Sequence, residues 1–125
     1  VRKLLKHSGF TLTEVLVAVV VFSVGLLGIA GLATVIIRGN TFSSMVTTAT
    51  ILAQDKLEES QDTAYTAINT GRDSVTGNNI IYTRVWNVTD NAPAAGMKTI
   101  EVTVSWRVRG KQQHQVVLKT IVTDT

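Results

Sequence analysis

Few residues in this sequence could do chemistry, and their spacing points to charge pairing rather than catalysis. Glu14 is the sole acid before Asp55 and stands directly ahead of 23 uncharged residues, Val15 to Ile37. A carboxylate carried fully into lipid costs about 2.5 to 3.5 kcal/mol, so Glu14 must face a partner or reach back to the interface. Near a helix N-terminus the macrodipole also favours its charge. Further on, Asp55, Glu58, Glu59 and Asp62 form a row at i, i+3, i+4 and i+7. Like charges that close repel mildly, so the row is either solvated or answers a basic surface on another chain, for which Arg107, Arg109 and Lys111 are candidates. Calcium cages wrap the ion in a loop, which a straight helical row does not do, and no metal is assigned. With no cysteine, disulfides, thiolate ligands and a Cys nucleophile are excluded. Nothing suggests that His7 and His114 meet. No Ser-His-Asp set, HExxH helix or phosphate loop can be read, so neither an enzyme nor a cofactor is expected.

The element that must position Glu14 is the uncharged run. At about 1.5 Å per residue it makes roughly 34 Å of helix, against a hydrocarbon core of about 30 Å. Fifteen of its residues are Leu, Ile, Val or Phe, which favour insertion by roughly 5 to 9 kcal/mol. Seven are valines, poor helix formers in water, but in lipid the backbone must satisfy its own hydrogen bonds and the helix is nearly forced. Arg2, Lys3 and Lys6 precede it and predict a cytoplasmic N-terminus with everything after Ile37 exported. These three account for the whole net charge of +3 among 12 basic and 9 acidic residues. From Gly9 onward the charges balance, which argues against nucleic acid as a partner. A secretory signal cleaved near Ala30, Gly31 and Ala33 is the ordinary alternative, but the run exceeds the usual 7 to 15 residues of such signals. Gly25, Gly28 and Gly31 weaken mid-span by roughly 3 kcal/mol relative to Ala. They read either as close-packing positions or as a stretch that loosens.

The segment Lys6-His7-Ser8-Gly9-Phe10-Thr11-Leu12-Thr13-Glu14-Val15-Leu16 resembles the processing site of type IV prepilins and the related pseudopilins of type II secretion. A basic leader ends in Gly, then come Phe, a Thr-Leu pair and a Glu at the fifth position, followed at once by the apolar helix. The resemblance implies cleavage between Gly9 and Phe10 on the cytoplasmic face by a membrane aspartyl prepilin peptidase, and N-methylation of the new Phe10 terminus. The helix then stays with the protein. It also implies that Glu14 pairs with the Phe10 amine of a neighbouring subunit or its own, a contact worth more when desolvated than in water. Thr13 stands where the family more often has an aliphatic residue. The helix-kinking proline of many major pilins has no counterpart, since the sole proline is Pro93.

Beyond Arg38-Gly39-Asn40, Phe42, Met45, Val46, Ala49, Leu52, Ala53 and Leu57 recur at helical spacing and predict a core-facing stripe. If Gly39 makes no break, one helix runs from about Phe10 to Asp62, near 80 Å at about 1.5 Å per residue. Ala49 to Ser60 resembles the corresponding segment of the PilV minor pilin family and of the minor pseudopilin I. Residues 63 to 79 are rich in Thr, Asn, Gly and Asp and read as a linker. Three strands are predicted after it. Ile80 to Val88 puts Ile80, Tyr82, Trp86 and Val88 on one face with Arg84 as the exception, and Lys98 to Arg109 alternates cleanly through Ile100, Val102, Val104, Trp106 and Val108. The last strand turns Val116, Leu118 and Val122 inward with Lys119 opposite. Trp86 and Trp106 read as core rather than ligand platforms.

The expected fold is α+β and, by its resemblance along the chain, pilin-like. A leader occupies 1 to 9 and a long N-terminal helix 10 to 62, with 15 to 37 transmembrane. The exported head, 63 to 125, is a small three-stranded antiparallel meander packed on the second half of the helix. The resemblance implies a minor pilin-like subunit of a type IV pilus needed for its assembly or initiation, with a type II secretion pseudopilin as the alternative and a tip binding module, for adhesion or DNA uptake, less favoured. Its implied partners are prepilin peptidase, other pilins or pseudopilins through the N-terminal helix, the inner-membrane assembly platform and membrane lipid. Its implied place is a single pass of the bacterial inner membrane, then a pilus or pseudopilus.

Overall fold

The computed structural model describes residues 9–124. The leader residues Arg2, Lys3, Lys6 and His7 lie outside the described residues. The elements in order are the helix α1 (Leu12–Asp62), a short 3-10 turn (Tyr65–Ala67), and strands β1 (Gly71–Gly77), β2 (Ile80–Asp90), β3 (Met97–Arg107) and β4 (Gln113–Thr123). Contacts divide the chain into a part ending at Thr41 and a part beginning at Phe42.

In the first part α1 continues through Gly25, Gly28, Gly31 and Gly39 without interruption, so none of these glycines is a break. The side chains from Val15 to Ile37 are exposed, and the helix is long and apolar enough to cross a membrane. A bare apolar surface on this scale far exceeds what a chain leaves in water. The hydroxyls within the run are satisfied along the helix itself: Ser23 Oγ donates to the Val19 carbonyl at 2.7 Å and Thr34 Oγ1 to the Ala30 carbonyl at 3.2 Å. No polar hydrogen on them needs water, as a lipid environment requires.

The second part is a two-layer unit in which the latter half of α1 lies on one face of a four-stranded antiparallel meander, β1-β2-β3-β4. Ala49 and Ala53 are fully buried on the helix side and meet Ile100, Val102, Val104, Tyr82 and Trp106 on the sheet side. Two alanines a turn apart let helix and sheet approach closely, and the alternation of β3 fills the gap with β-branched side chains. Met45, Val46, Leu52 and Leu57 flank this seam half-buried, as the helical spacing predicts, whereas Phe42, the first residue of the expected stripe, is 46% exposed and touches the sheet at His114.

The meander has four strands, not three. Gly71–Gly77, read from its composition as part of a linker, pairs along its full length with β2, from Gly71 opposite Trp86 to Gly77 opposite Ile80. Asn78 and Asn79, with φ of 50° and 62°, form the two-residue turn between them. That left-handed pair matches the twist of a hairpin, and asparagine tolerates it better than most residues. The strand was hidden because Val75 is its only large apolar residue; its inward positions are otherwise Gly71, Asp73 and Gly77. Gly71 is small by necessity, since a Cβ there would lie 2.6 Å from Trp86 Cζ2.

Three cations enter this core region. Arg84, the exception on β2, is nearly buried and donates from Nε to Asp73 Oδ1 at 2.7 Å, from Nη2 to Asp73 Oδ2, and from Nη1 to the Leu52 carbonyl at 3.3 Å. Lys56 lies against the Trp86 ring, 3.9 Å from its centroid, with its ammonium 2.9 Å from Glu59 Oε1. Lys98 donates to the Ile68 carbonyl at 3.2 Å and reaches Asp90 at 3.3 Å. Each apolar stem fills core space while the head group finds an oxygen, so burial does not leave a bare charge.

Candidate processing and assembly site

The helix begins two residues after the Gly9–Phe10 bond, and its start is built by Thr11 and Glu14. The Thr11 N–H donates to Glu14 Oε2 at 2.8 Å, and the Glu14 N–H donates to Thr11 Oγ1 at 3.2 Å. This reciprocal pair is a capping box, which satisfies two helix-end donors that otherwise have no partner. A carboxylate in the first turn also meets the positive end of the helix dipole. Glu14 is therefore held at the mouth of the apolar segment by its own backbone. Only Oε2 is engaged in that pair, which leaves the second oxygen for another donor.

Gly9 and Phe10 lie before the helix and are exposed, Phe10 at 90%. A peptide bond outside regular structure, with no packing around it, is open to a protease without unfolding anything. The structure thus brings Thr11 and Glu14 together and places the Gly9–Phe10 bond immediately upstream. The pattern Thr-x-x-Glu ahead of an apolar run is the sequence signature of such a box, a signal that was present but that the expectations for Glu14 did not use, so the Thr11 contact is first seen in the structure.

In the second part, Asp55, Glu58 and Asp62 are exposed on the helix surface, while Glu59 is turned to Lys56. Arg107 bonds Gln113 through Nη2 at 3.2 Å, and Arg109 and Lys111 occupy the β3–β4 turn. None of these cations reaches the acidic row within one chain among the described residues. His114 is beside Phe42 and Trp106, with ring centroids 5.1 and 5.7 Å away. Trp106 is buried as expected, and Trp86 is half-buried with its indole N–H on the Asn69 carbonyl at 3.0 Å. The Asp73 carboxyl is held below its ordinary pKa by its hydrogen bond with Arg84, whose own pKa is raised by the same bond. Among the described residues no three His, Asp or Glu side chains gather to hold a metal ion.

Residues 4–30 match the family model described as the prokaryotic N-terminal methylation motif. No curated protein and no solved structure matches the chain. The motif covers the Gly9–Phe10 bond, the capping box and most of the apolar run. Together with a long apolar helix that continues onto a small antiparallel sheet, it makes the chain type-IV-pilin-like, of the structural kind processed through that motif. A prepilin peptidase is the processing partner the motif implies.

Proposed function

We propose that the chain is a minor pilin-like subunit of a type IV pilus, cut between Gly9 and Phe10, methylated on Phe10 and assembled through its N-terminal helix. The observation that carries this reading is the continuity of α1. The helix that opens with the methylation motif is the same helix that supports the folded head, so cleavage upstream of Phe10 frees an amine without detaching the apolar stem. In this reading the N-terminus faces the cytoplasm, residues 15 to 37 cross the inner membrane and the head is exported, as the leader cations direct.

Glu14 then has a defined task. Cleavage places a cationic amine four residues upstream of a carboxylate whose second oxygen is open, at the edge of lipid where a pair gains most from desolvation. The amine of an adjacent subunit is the partner that sets the axial register. The closer assignment to the PilV family rests on Ala49 to Ser60, where Ala49, Ala53, Lys56 and Ser60 form the buried face of the helix.

Mass spectrometry of the membrane-extracted chain tests the processing step: a mature start at methylated Phe10 is expected, and a start beyond Ala33 refutes the reading. Deletion of the gene tests the assembly role. Loss of surface pili supports the pilus subunit, whereas intact pili with blocked release of exported enzymes assigns the chain to type II secretion.

A further inference from the structure

The second part carries eight cations and eight anions, and four pairs form within it: Lys56 with Glu59, Arg84 with Asp73, Lys98 with Asp90 and Lys119 with Glu101. The charges outside these pairs are sorted by distance from one end of the unit. Three contacts of α1 fix that end: the Phe42 ring lies 5.1 Å from His114, the Thr48 methyl lies beside Gly77, and further along Gln61 bonds Thr120 at 3.3 Å. The β1–β2 and β3–β4 turns therefore share the end at which the helix enters the unit, and the β2–β3 turn is at the other. Arg107, Arg109 and Lys111 stand exposed at the entry end. Asp55, Glu58 and Asp62 stand exposed on the helix well past Phe42, about 20 to 30 Å along it. Asp124 follows β4 and bonds the Gly96 carbonyl of the β2–β3 turn.

Among the described residues no acid interrupts the cationic end. The helix carries no charge from Phe42 to Gln54. Glu101 lies about 20 Å back from Arg107 along β3 and is held by Lys119 at 2.6 Å, while Asp73 is turned inward onto Arg84. On the sheet face away from the helix a groove of about 520 Å³ opens towards this end, lined by Arg72, Ile81, Thr83, Ser105, Arg107 and Gln113, with no carboxylate among its walls. Every polar side chain in that set can donate a hydrogen bond. Ile81 and Phe42, 63% and 46% exposed, add bare apolar surface at the same end. Guanidinium forks, hydroxyl donors and a little apolar surface together suit a layer of lipid phosphates.

We propose that this end docks on the anionic phospholipid headgroups of the bilayer that residues 15 to 37 span, with Arg107, Arg109 and Lys111 on lipid phosphates and a headgroup in the groove between Arg72 and Arg107. Phe42 follows Ile37 by five residues, so no more than about 18 Å of chain separates the entry end from the end of the apolar run. Lys111 is three residues before His114, about 10 Å of extended chain. The β3–β4 turn is thus within reach of headgroups in every copy before a partner subunit arrives, whereas an acidic protein surface would have to be brought to it. The carboxylates at the far end add orientation, because an anionic surface attracts one end of the unit and repels the other. Since the unit is neutral overall, the sorting of its charges and not their sum supplies the attraction. Docking holds the head of a waiting subunit against the membrane and is given up when the subunit leaves lipid for a filament. The proposal rests on residues 15 to 37 spanning a membrane with the head outside, and names what the head touches there.

The full chain reconstituted in vesicles tests it, and the absence of native cysteine lets a single fluorophore report either end, through Gln112→Cys in the β3–β4 turn or Ala95→Cys in the β2–β3 turn. The vesicles are phosphatidylcholine alone or with about 30 mol% phosphatidylglycerol, and both leaflets carry a headgroup-attached quencher. Phosphatidylglycerol is expected to raise quenching at position 112 at least about threefold and to leave position 95 unchanged. The rise should collapse when salt goes from 0.1 M to 1 M, as the Debye length falls from about 10 to about 3 Å. Arg107→Gln, Arg109→Asn and Lys111→Gln together should lower the ratio of docked to free heads at least about tenfold, while Arg107→Lys with Lys111→Arg keeps it within about twofold. The lipid and salt arms use the unaltered cations, so they decide even if a variant fails to fold. Equal quenching in the two lipids, a rise of the same size at position 95, or a signal that grows with the protein-to-lipid ratio, which assigns the cations to a second copy, would overturn the proposal. A chain that does not float with the vesicles defeats the span and the docking together. Docking by a chain whose deletion leaves pili intact defeats the pilus reading alone, and a chain recovered in pili whose label ignores phosphatidylglycerol defeats the docking alone.

Discussion

Removing Asp73 should damage the head far more than removing Asp73 and Arg84 together. The Arg84 side chain is 13% exposed and Asp73 38%. Three guanidinium contacts hold it: two to Asp73 and one to the Leu52 carbonyl. Asp73→Ala deletes two of the three and leaves a cation between helix and sheet. Stripping the partner from a fully buried pair costs about 3 to 5 kcal/mol, and partial access of water through the Asp73 position brings this to about 2 to 3 kcal/mol here. Arg84→Leu should cost about 1 kcal/mol, because the remaining carboxylate can rehydrate while leucine joins Tyr82 and Trp86 on an otherwise apolar face. The double variant Asp73→Ala with Arg84→Leu should lie within about 1 kcal/mol of the parent. Thermal unfolding of the full chain in detergent, followed through Trp86 and Trp106 fluorescence, should show a drop of about 8 to 16 °C for a 2 kcal/mol loss in a unit of this size. Acid sharpens the test. Since the folded pKa of Asp73 is depressed, its contribution is complete above the ordinary carboxylate value of about 4 and is lost as pH falls through the folded pKa. Asp73→Ala should lack that acid-side loss. A double variant as unstable as Asp73→Ala, or a single variant within about 0.5 kcal/mol of the parent, would refute the argument.

Other perturbations read other contacts. Gly71→Ala places a Cβ 2.6 Å from Trp86 Cζ2, so the indole must shift off Lys56 and Asn69; a cost of about 1 to 3 kcal/mol is expected, with a red-shifted tryptophan emission, and an unchanged spectrum and midpoint would contradict the packing. Asn79→Val puts a β-branched residue at a φ of 62° and should cost about 1 to 2 kcal/mol, fraying β1 in hydrogen exchange while β3 stays protected; equal exchange in both strands would argue against a local effect. Glu14→Val removes one arm of the capping box together with the charge; membrane recovery should be unchanged and recovery in sheared filaments lost, so normal incorporation would dismiss the proposed amine pairing.

Where the signal is local and repeated, the amino-acid sequence suffices. The length of Val15 to Ile37 determines an apolar helix, and the helical spacing from Met45 to Leu57 and the alternation from Ile100 to Trp106 each determine an element and its buried side, because period and hydrophobicity are properties of neighbours along the chain. The start of the helix is just as local, since Thr11 and Glu14 are three residues apart and each caps the other's backbone N–H, although the expectation put it at Phe10 rather than Leu12 and took Glu14 for its charge alone. Tertiary structure alone decided the rest. Gly71–Gly77 becomes a strand because β2 supplies its hydrogen bonds and Arg84 supplies a partner for Asp73, both distant in its own local context. Lys56, Lys98 and Arg84 enter the core because an aromatic face, a carbonyl or a carboxylate from another element receives each ammonium or guanidinium. The pairs Arg84 with Asp73, Lys98 with Asp90 and Lys119 with Glu101 likewise follow from the register of the sheet, which sets residues of neighbouring strands opposite one another, whereas Lys56 with Glu59 is a contact of helical spacing.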